Sequence, residues 1–394
     1  MGGFVNKLLE NGLNILKRLN DAGYEAFFVG GYVRDALLGI ASEDIDITTN
    51  ALPETIESLF EKTIPTGKRY GTITVLINRF SYEVTTYRTD HDYLNHRQPS
   101  QVIFSSSLIE DLQRRDFTIN ALTMDKDGKI FDYFNGRDDI LKGQVKAIEQ
   151  PNQRFKEDAL RILRAIRFAG KLNFDIEYAT LNAMICDAHL LKKLPKERVT
   201  KELDLILNQP HFLTVFQYTE TIKLDDVFPD LMHGLKLLYR HPMKLDLITL
   251  FVLSMYPNHH IHIEDWKLSN RQIKRIKNIL SIMDMLVEQT PLEIIVYHFE
   301  HQDVLLANAL LAHYDHQPLM DKDIIEANQQ LPIKKYQDLN LDGRDLNHLS
   351  VDKKQIGKII NQLVKEVLLR TIENDQEKLL ERAKQIAGEL NDET

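Results

Sequence analysis

Apolar residues recur every three to four positions from Phe4 to Leu19, which predicts an amphipathic helix. The pattern then changes. Ala26-Phe27-Phe28-Val29 is a short apolar run with the aromatic content of a buried strand, and Gly30-Gly31 follows it directly. Tyr32 to Leu38 reads as a short helix closed by Gly39, a residue suited to the left-handed position after a helix end. In Asp44-Ile45-Asp46-Ile47 acidic and apolar residues alternate, so a strand there sends both isoleucines into the core and both carboxylates to the opposite face. Further strand patterns lie at Thr72–Ile77 and Ser81–Tyr87, and Asp127-Gly128 marks a hairpin turn between Ala121–Met124 and Ile130-Phe131. After about Ala147 strand patterns nearly vanish, and amphipathic helices follow with breaks near Pro195, Pro210, Pro257, Pro291, Pro318 and Pro332. The expected fold class is α+β: an N-terminal mixed sheet, then a long all-α part.

The 394 residues suffice for more than one core. The longest apolar run, around Leu247 to Tyr256, is too short for a membrane span, and the N-terminus carries neither a signal-peptide pattern nor a myristoylation pattern. A single cysteine, Cys186, excludes an internal disulfide and suits a reducing compartment, so the expected location is cytoplasmic. The formal net charge of −9 argues against indiscriminate coating of nucleic acid. It leaves room for local basic surfaces. Lys267 to Leu280 gathers Lys and Arg on one predicted helix, either a solvated face or a phosphate-binding one.

Two places carry candidate chemistry. Residues two apart on a strand lie about 6.5 Å apart, so Asp44 and Asp46 can reach the same divalent ions. Paired carboxylates that activate a hydroxyl through metal ions are one use of that spacing; two solvated acids are the other. Gly30-Gly31, between a strand and a helix start, either makes a tight turn or lets backbone N–H groups approach a phosphate. The second place is Glu157 to Gly170, read as one helix with Glu157, Asp158, Arg161 and Arg164 on one arc and Ala159, Ile162, Leu163 and Ile166 opposite. Ion pairs along the helix account for that arc. So does base recognition: Asp158 as acceptor beside Arg161 as donor complements the Watson–Crick edge of cytosine or adenine, and opposes uracil and guanine.

The segments GGYVRD, DIDITT, RRDFTINAL (residues 114–122), EDALRILRAIRF and LPKERVTKEL (residues 194–203) together resemble the ordered motifs of the class II tRNA nucleotidyltransferases, the CCA-adding enzymes. The resemblance covers roughly residues 25 to 207. It implies a nucleotidyltransferase head (1–146), a helical neck (147–207), a helical body (208–262) and a helical, tRNA-binding tail (263–394). It implies that Asp44 and Asp46 hold Mg²⁺, and that Gly31 and Arg34 face the nucleotide phosphates. Arg115, Asp158, Arg161, Arg164 and Arg167 would line the nucleotide pocket, Asp116 would orient Arg161 or the sugar, and Glu197 and Arg198 would brace the neck. Glu83 is either a third carboxylate or a salt-bridge partner of Arg88.

The implied partners are tRNA, contacted at its acceptor end and elbow, and CTP and ATP; a second copy of the chain is a further candidate. The implied reaction adds C, C and A to the tRNA 3′ end. Two rivals are close relatives. Bacterial poly(A) polymerases share several of these motifs, but Gly67 to Val75 resembles the CCA-adding pattern more. Enzymes that add only CC have a shortened loop, whereas Arg88 to Val102 resembles the complete flexible one that serves A addition. A silent tRNA-binding protein needs neither the paired carboxylates nor the Asp158/Arg161 pair. His259, His260 and His262 fit no standard metal-site spacing.

Overall fold

The computed structural model describes residues 2–94, 98–240, 246–256, 258, 261–346 and 353–392. Two compact units divide the chain: residues 1–232 with 265–267, and residues 233–264 with 268–394. Helix α1 (Gly2–Asp21) buries Ile15, Leu16 and Leu19. It passes so close to the sheet that a Cβ on Gly12 would stand 3.0 Å from the Phe28 ring, which a larger residue would force apart.

The strands of the first unit are β1 (Ala26–Val29), β2 (Asp46–Thr49), β3 (Thr63–Gly67), β4 (Thr72–Ile77), β5 (Phe80–Thr86), β6 (Arg88–Leu94), β7 (Gln98–Phe104), β8 (Leu122–Met124), β9 (Ile130–Asp132), β10 (Gln144–Val145) and β11 (Asp175–Ile176). Seven of them form one sheet in the order β3-β4-β5-β2-β1-β8-β9. The β2–β5 pair is parallel and its neighbours antiparallel, which makes the sheet mixed, as the sequence patterns led us to expect. The register sets Asp46 beside Glu83 on β5 and beside Val29 at the end of β1. The Gly30-Gly31 turn therefore leaves the sheet next to the carboxylates.

Strand β3 is absent from the sequence reading because Pro65 and Gly67 look like breakers. At the edge of the sheet a missing N–H costs no ladder bond, so proline is tolerated there. Arg88 to Val102, expected to be a flexible loop, falls largely in an antiparallel hairpin of β6 and β7, with Arg88 opposite Phe104 and Asp90 opposite Val102. Its tip, residues 95–97, lies outside the described residues.

Helices α2 (Gly31–Leu37), α3 (Pro53–Leu59), α4 (Leu108–Gln113) and α5 (Gly136–Leu141) accompany the sheet. Then come α6 (Pro151–Glu157), α7 (Leu160–Leu172), α8 (Tyr178–Asp187), α9 (Lys196–Leu207), α10 (Phe212–Thr221) and α11 (Pro229–Arg240). The chain continues through α12 (Leu247–Met255), α13 (Asn270–Val287), α14 (Leu292–His298), α15 (His301–Leu311), α16 (Asp321–Gln329), α17 (Lys353–Leu368) and α18 (Gln376–Asp392). The second unit has its own core, in which Ile359, Leu363 and Val367 of α17 pack with Leu379, Ala383 and Ile386 of α18. Among the described residues no helix is long and apolar enough to cross a membrane.

Candidate active site

In the first unit a cleft of about 880 Å³ opens at the end of the sheet where β1 meets the Gly30-Gly31 turn. One wall is acidic. Asp46 begins β2, and Asp44 lies just before the strand, with Ile45 and Ile47 buried between and beside them, so the alternation places both carboxylates on the cleft side. Burial against the wall pushes the Asp46 carboxyl up to about 6; the Arg115 guanidinium opposes this, and the Glu83 and Asp44 carboxylates add to it. Glu83 faces the same cleft from β5, while Arg88 donates to the Tyr70 carbonyl.

Gly30 adopts φ 73°, a conformation strained for any side chain, and a Cβ there would meet Arg115 Nη1 at 3.4 Å. Arg115 is in turn steered by Asp111, whose carboxylate lies 3.3 Å from Arg115 Nη2 and accepts from Arg114 at 2.7 Å and from the Thr48 hydroxyl at 3.1 Å. Burial alone would raise the Asp111 pKa, but the two arginines hold it below the ordinary carboxylate value.

The opposite wall is a lattice of arginines held by acids. Arg34 is buried; its Nε and Nη2 donate to Asp35 at 2.8 and 2.6 Å and its Nη1 to Asn120 at 2.5 Å. Lys171 of α7 donates to the other Asp35 oxygen at 3.0 Å. Asn120 donates to Asp116 Oδ1, and Asp116 Oδ2 takes Arg164 Nε at 2.7 Å. Burial opposes the Asp116 charge, yet Arg164 and Asn120 hold its pKa down to about 2. Arg167 donates to Glu202 of α9 at 2.5 Å. Beneath them Phe168 supports three guanidinium groups, with Arg34, Arg164 and Arg167 at 5.1, 5.5 and 4.4 Å from its ring centroid.

The structure corrects the single helix expected over Glu157 to Gly170. Helix α6 ends at Glu157, Asp158 is extended (φ −143°, ψ 102°), and α7 begins at Leu160. Asp158 Oδ1 accepts the Leu160 N–H at 3.1 Å, the local bond that lets an aspartate interrupt one helix and start the next. Asp158 therefore does not share a helix face with Arg161 and Arg164. Its carboxylate is gripped by Arg198 of α9, at 3.1 and 2.8 Å. Arg161 is held instead by Glu157 at 2.9 Å and by the Arg154 and Arg114 carbonyls at 3.2 and 2.7 Å. Asp116, expected to orient Arg161 or the sugar, binds Arg164.

The residues expected at the metal, phosphate and nucleotide positions (Gly31, Arg34, Asp44, Asp46, Glu83, Arg115, Asp116, Asp158, Arg161, Arg164 and Arg167) line this cleft, whereas Glu157 and Glu197 do not and pair with Arg161 and Lys201. Arg198, read as a brace of the neck, lines it too. Missed were Asp35, Asn120, Phe168 and Glu202, all inside motifs already in view, and Asp111 and Lys171 outside them. Of the histidines considered for metal, His259 and His260 lie outside the described residues.

The wall of Asp44, Asp46 and Glu83 supplies only oxygen donors, which suits a hard divalent cation. Among the described residues no group of three His, Cys, Asp or Glu side chains is assembled to hold a metal ion by itself. One or two carboxylates completed by substrate phosphates is the usual arrangement for such ions.

A mixed sheet with this acidic wall, facing a basic wall on the helices that follow it, defines a nucleotidyltransferase. Residues 26–146 match the Poly A polymerase head domain, and residues 245–383 match a tRNA nucleotidyltransferase domain 2. The CCA-adding enzyme of Lactobacillus helveticus is 37% identical over 372 residues, 91% of this chain and 93% of that protein. The CCA-adding enzyme of Ligilactobacillus salivarius is 38% identical, covering 96% of each. The crystal structure of the Bacillus stearothermophilus CCA-adding enzyme in complex with CTP superposes with a TM-score of 0.81 at 28% identity, covering 98% of this chain and 99% of that one. The chain belongs to the CCA-adding enzyme family.

Proposed function

We propose that this protein adds C, C and A in turn to the 3′ end of tRNA, using CTP and ATP, releasing pyrophosphate and copying no template. The observation that carries this reading is the meeting, in one cleft, of the Asp44/Asp46 wall with the Asp158 and Arg161 side chains. The tRNA 3′-hydroxyl attacks the α-phosphate, and the pyrophosphate leaves on the opposite side. Mg²⁺ bound at Asp44 and Asp46 would lower the pKa of that hydroxyl and offset triphosphate charge. The chain itself contributes position. Arg34 and Arg115, held by Asp35 and Asp111, present fixed positive charge near the Gly30-Gly31 backbone, where the phosphates would lie. Asp158 accepts from the exocyclic amino group of C or A, and Arg161 donates to the neighbouring ring nitrogen.

The relatives named as CCA-adding enzymes span nearly the whole chain, which favours this activity over poly(A) synthesis. In this reading residues 1–146 are the head, 147–207 the neck, 208–262 the body and 263–394 the tRNA-binding tail, in a cytoplasmic protein. The direct test of the reaction is sequencing of products from a tRNA that lacks its last three nucleotides. Shortening the β6–β7 hairpin between Asp92 and Pro99 is expected to spare CC addition and to impair the final A, measured as band distribution with CTP and ATP together. Equal loss of both steps would make the hairpin a general catalytic element.

The tail's candidate phosphate surface is narrower than the run from Lys267 to Leu280 suggested. Arg275 is paired with Asp303 at 2.7 Å and Lys277 with Glu264 at 2.9 Å, whereas Arg271 and Lys274 stand at exposed positions. Arg271→Ala with Lys274→Ala is expected to flatten the salt dependence of tRNA binding by about two contacts, each about 0.7–0.9 in log–log slope. Lys277→Ala is expected to leave the slope unchanged. Equal slopes for all three proteins would show that this helix does not face the RNA.

A further inference from the structure

Helix α9 is held on two sides. Arg198 and Glu202, four residues apart on one face, bind Asp158 and Arg167 at the cleft. Lys196 and Thr200, on another face, hold the segment at Trp266. The Lys196 ammonium lies 4.2 Å from the Trp266 ring centroid and 4.5 Å from that of Phe228, between two rings that meet edge-on at 5.7 Å. The Thr200 hydroxyl is 2.8 Å from the Trp266 carbonyl oxygen. An element fixed on both faces cannot easily turn, so Arg198 presents its guanidinium from a rigid base.

That fixes what Asp158 can offer. Its Oδ1 already accepts Arg198 Nη1 and the Leu160 N–H, and its Oδ2 accepts Arg198 Nη2 at 2.8 Å. Each carboxylate oxygen accepts about two hydrogen bonds. Among the described residues, Oδ2 alone keeps an open acceptor position. We propose that Arg198 is a positioning residue for base selection: by holding both Asp158 oxygens it aims one lone pair at the amino group of an incoming C or A. The inference rests on the reading that Asp158 contacts the base. Without the two-point grip the carboxylate rotates, and a uracil or guanine carbonyl is no longer forced against a fixed acceptor.

The test uses single-turnover incorporation of CTP and UTP by the full-length protein, comparing wild type, Arg198→Lys, Asp158→Asn and the double variant. Lysine keeps the charge but cannot make the paired contact. Arg198→Lys is expected to lower the CTP/UTP ratio about tenfold, the worth of one charge-assisted hydrogen bond, and to lower it no further once Asp158 is Asn. Trp266 is the only tryptophan in the chain, so its emission reports whether α9 and its clasp stay in place. It is expected to be unchanged in Arg198→Lys. A parallel loss with both nucleotides, or an equal drop in the ratio in both Asp158 backgrounds, overturns the proposal. A shifted Trp266 emission with the ratio preserved overturns it too, since Arg198 would then only hold the fold. Absence of any incorporation by the wild type would instead overturn the proposed function.

Discussion

Asp46→Ala is expected to reduce incorporation of both C and A by about a thousandfold or more while leaving tRNA affinity nearly unchanged. On the proposed reading the variant loses a carboxylate that would hold metal, and with it several kcal/mol of stabilisation of the reaction. The proposed phosphate surface of the tail lies elsewhere on the chain. The side chain begins β2 between Val29 and Glu83, in a sheet whose register does not depend on its carboxylate, so the variant keeps its fold. Single-turnover incorporation together with filter binding separates the two effects. Near-normal incorporation by Asp46→Ala would remove these carboxylates from the chemistry. Glu83→Gln is the companion measurement, because Glu83 stands beside Asp46 in register and its loss reports whether a third carboxylate takes part.

The second large effect concerns base choice. On the proposed reading, Asp158→Ala removes the acceptor for the amino group of C or A and the repulsion met by the carbonyl of U or G. Sites built on buried hydrogen-bonding groups discriminate by up to about 10⁴-fold, because the wrong base leaves them unpaired. Activity with CTP and ATP is therefore expected to fall far more than activity with UTP, so the ratio between them narrows. The substitution also leaves Arg198 without its carboxylate, which is why Asp158→Asn, of nearly the same shape, belongs beside it. A uniform decline with all four nucleotides would assign Asp158 to holding α6, α7 and α9 together. Base selection would then lie elsewhere.

Local pattern made much of this legible. Strand β1 spans the apolar run read from the sequence, β4 runs from Thr72 to Ile77 as its alternation predicted, and Gly39 and Gly128 take the positive φ values their turns require. These features depend on neighbours a few residues away. What escaped were partnerships across long stretches of chain. Lys171 reaches Asp35, 136 residues earlier, and Arg198 reaches Asp158 across 40. No periodicity encodes such a pairing.

The break at Asp158 was nearer to hand. An aspartate immediately before an apolar helical run is a helix-start signal, and its Oδ1 bond to the Leu160 N–H is that signal realised. Arg198 reads as a brace of the neck, because its partner Asp158 lies 40 residues earlier in the chain and only the fold brings the two together at the cleft.

In the proposed reaction one protein builds CCA on tRNA without a template. The most direct measurement incubates it with a tRNA lacking its last three nucleotides, offers each nucleoside triphosphate singly and in pairs, and sequences the products. Two C additions are expected with CTP alone, none with UTP or GTP, and CTP with ATP is expected to give CCA and then stop. Runs of A, or a halt at CC with both nucleotides present, would contradict this reaction.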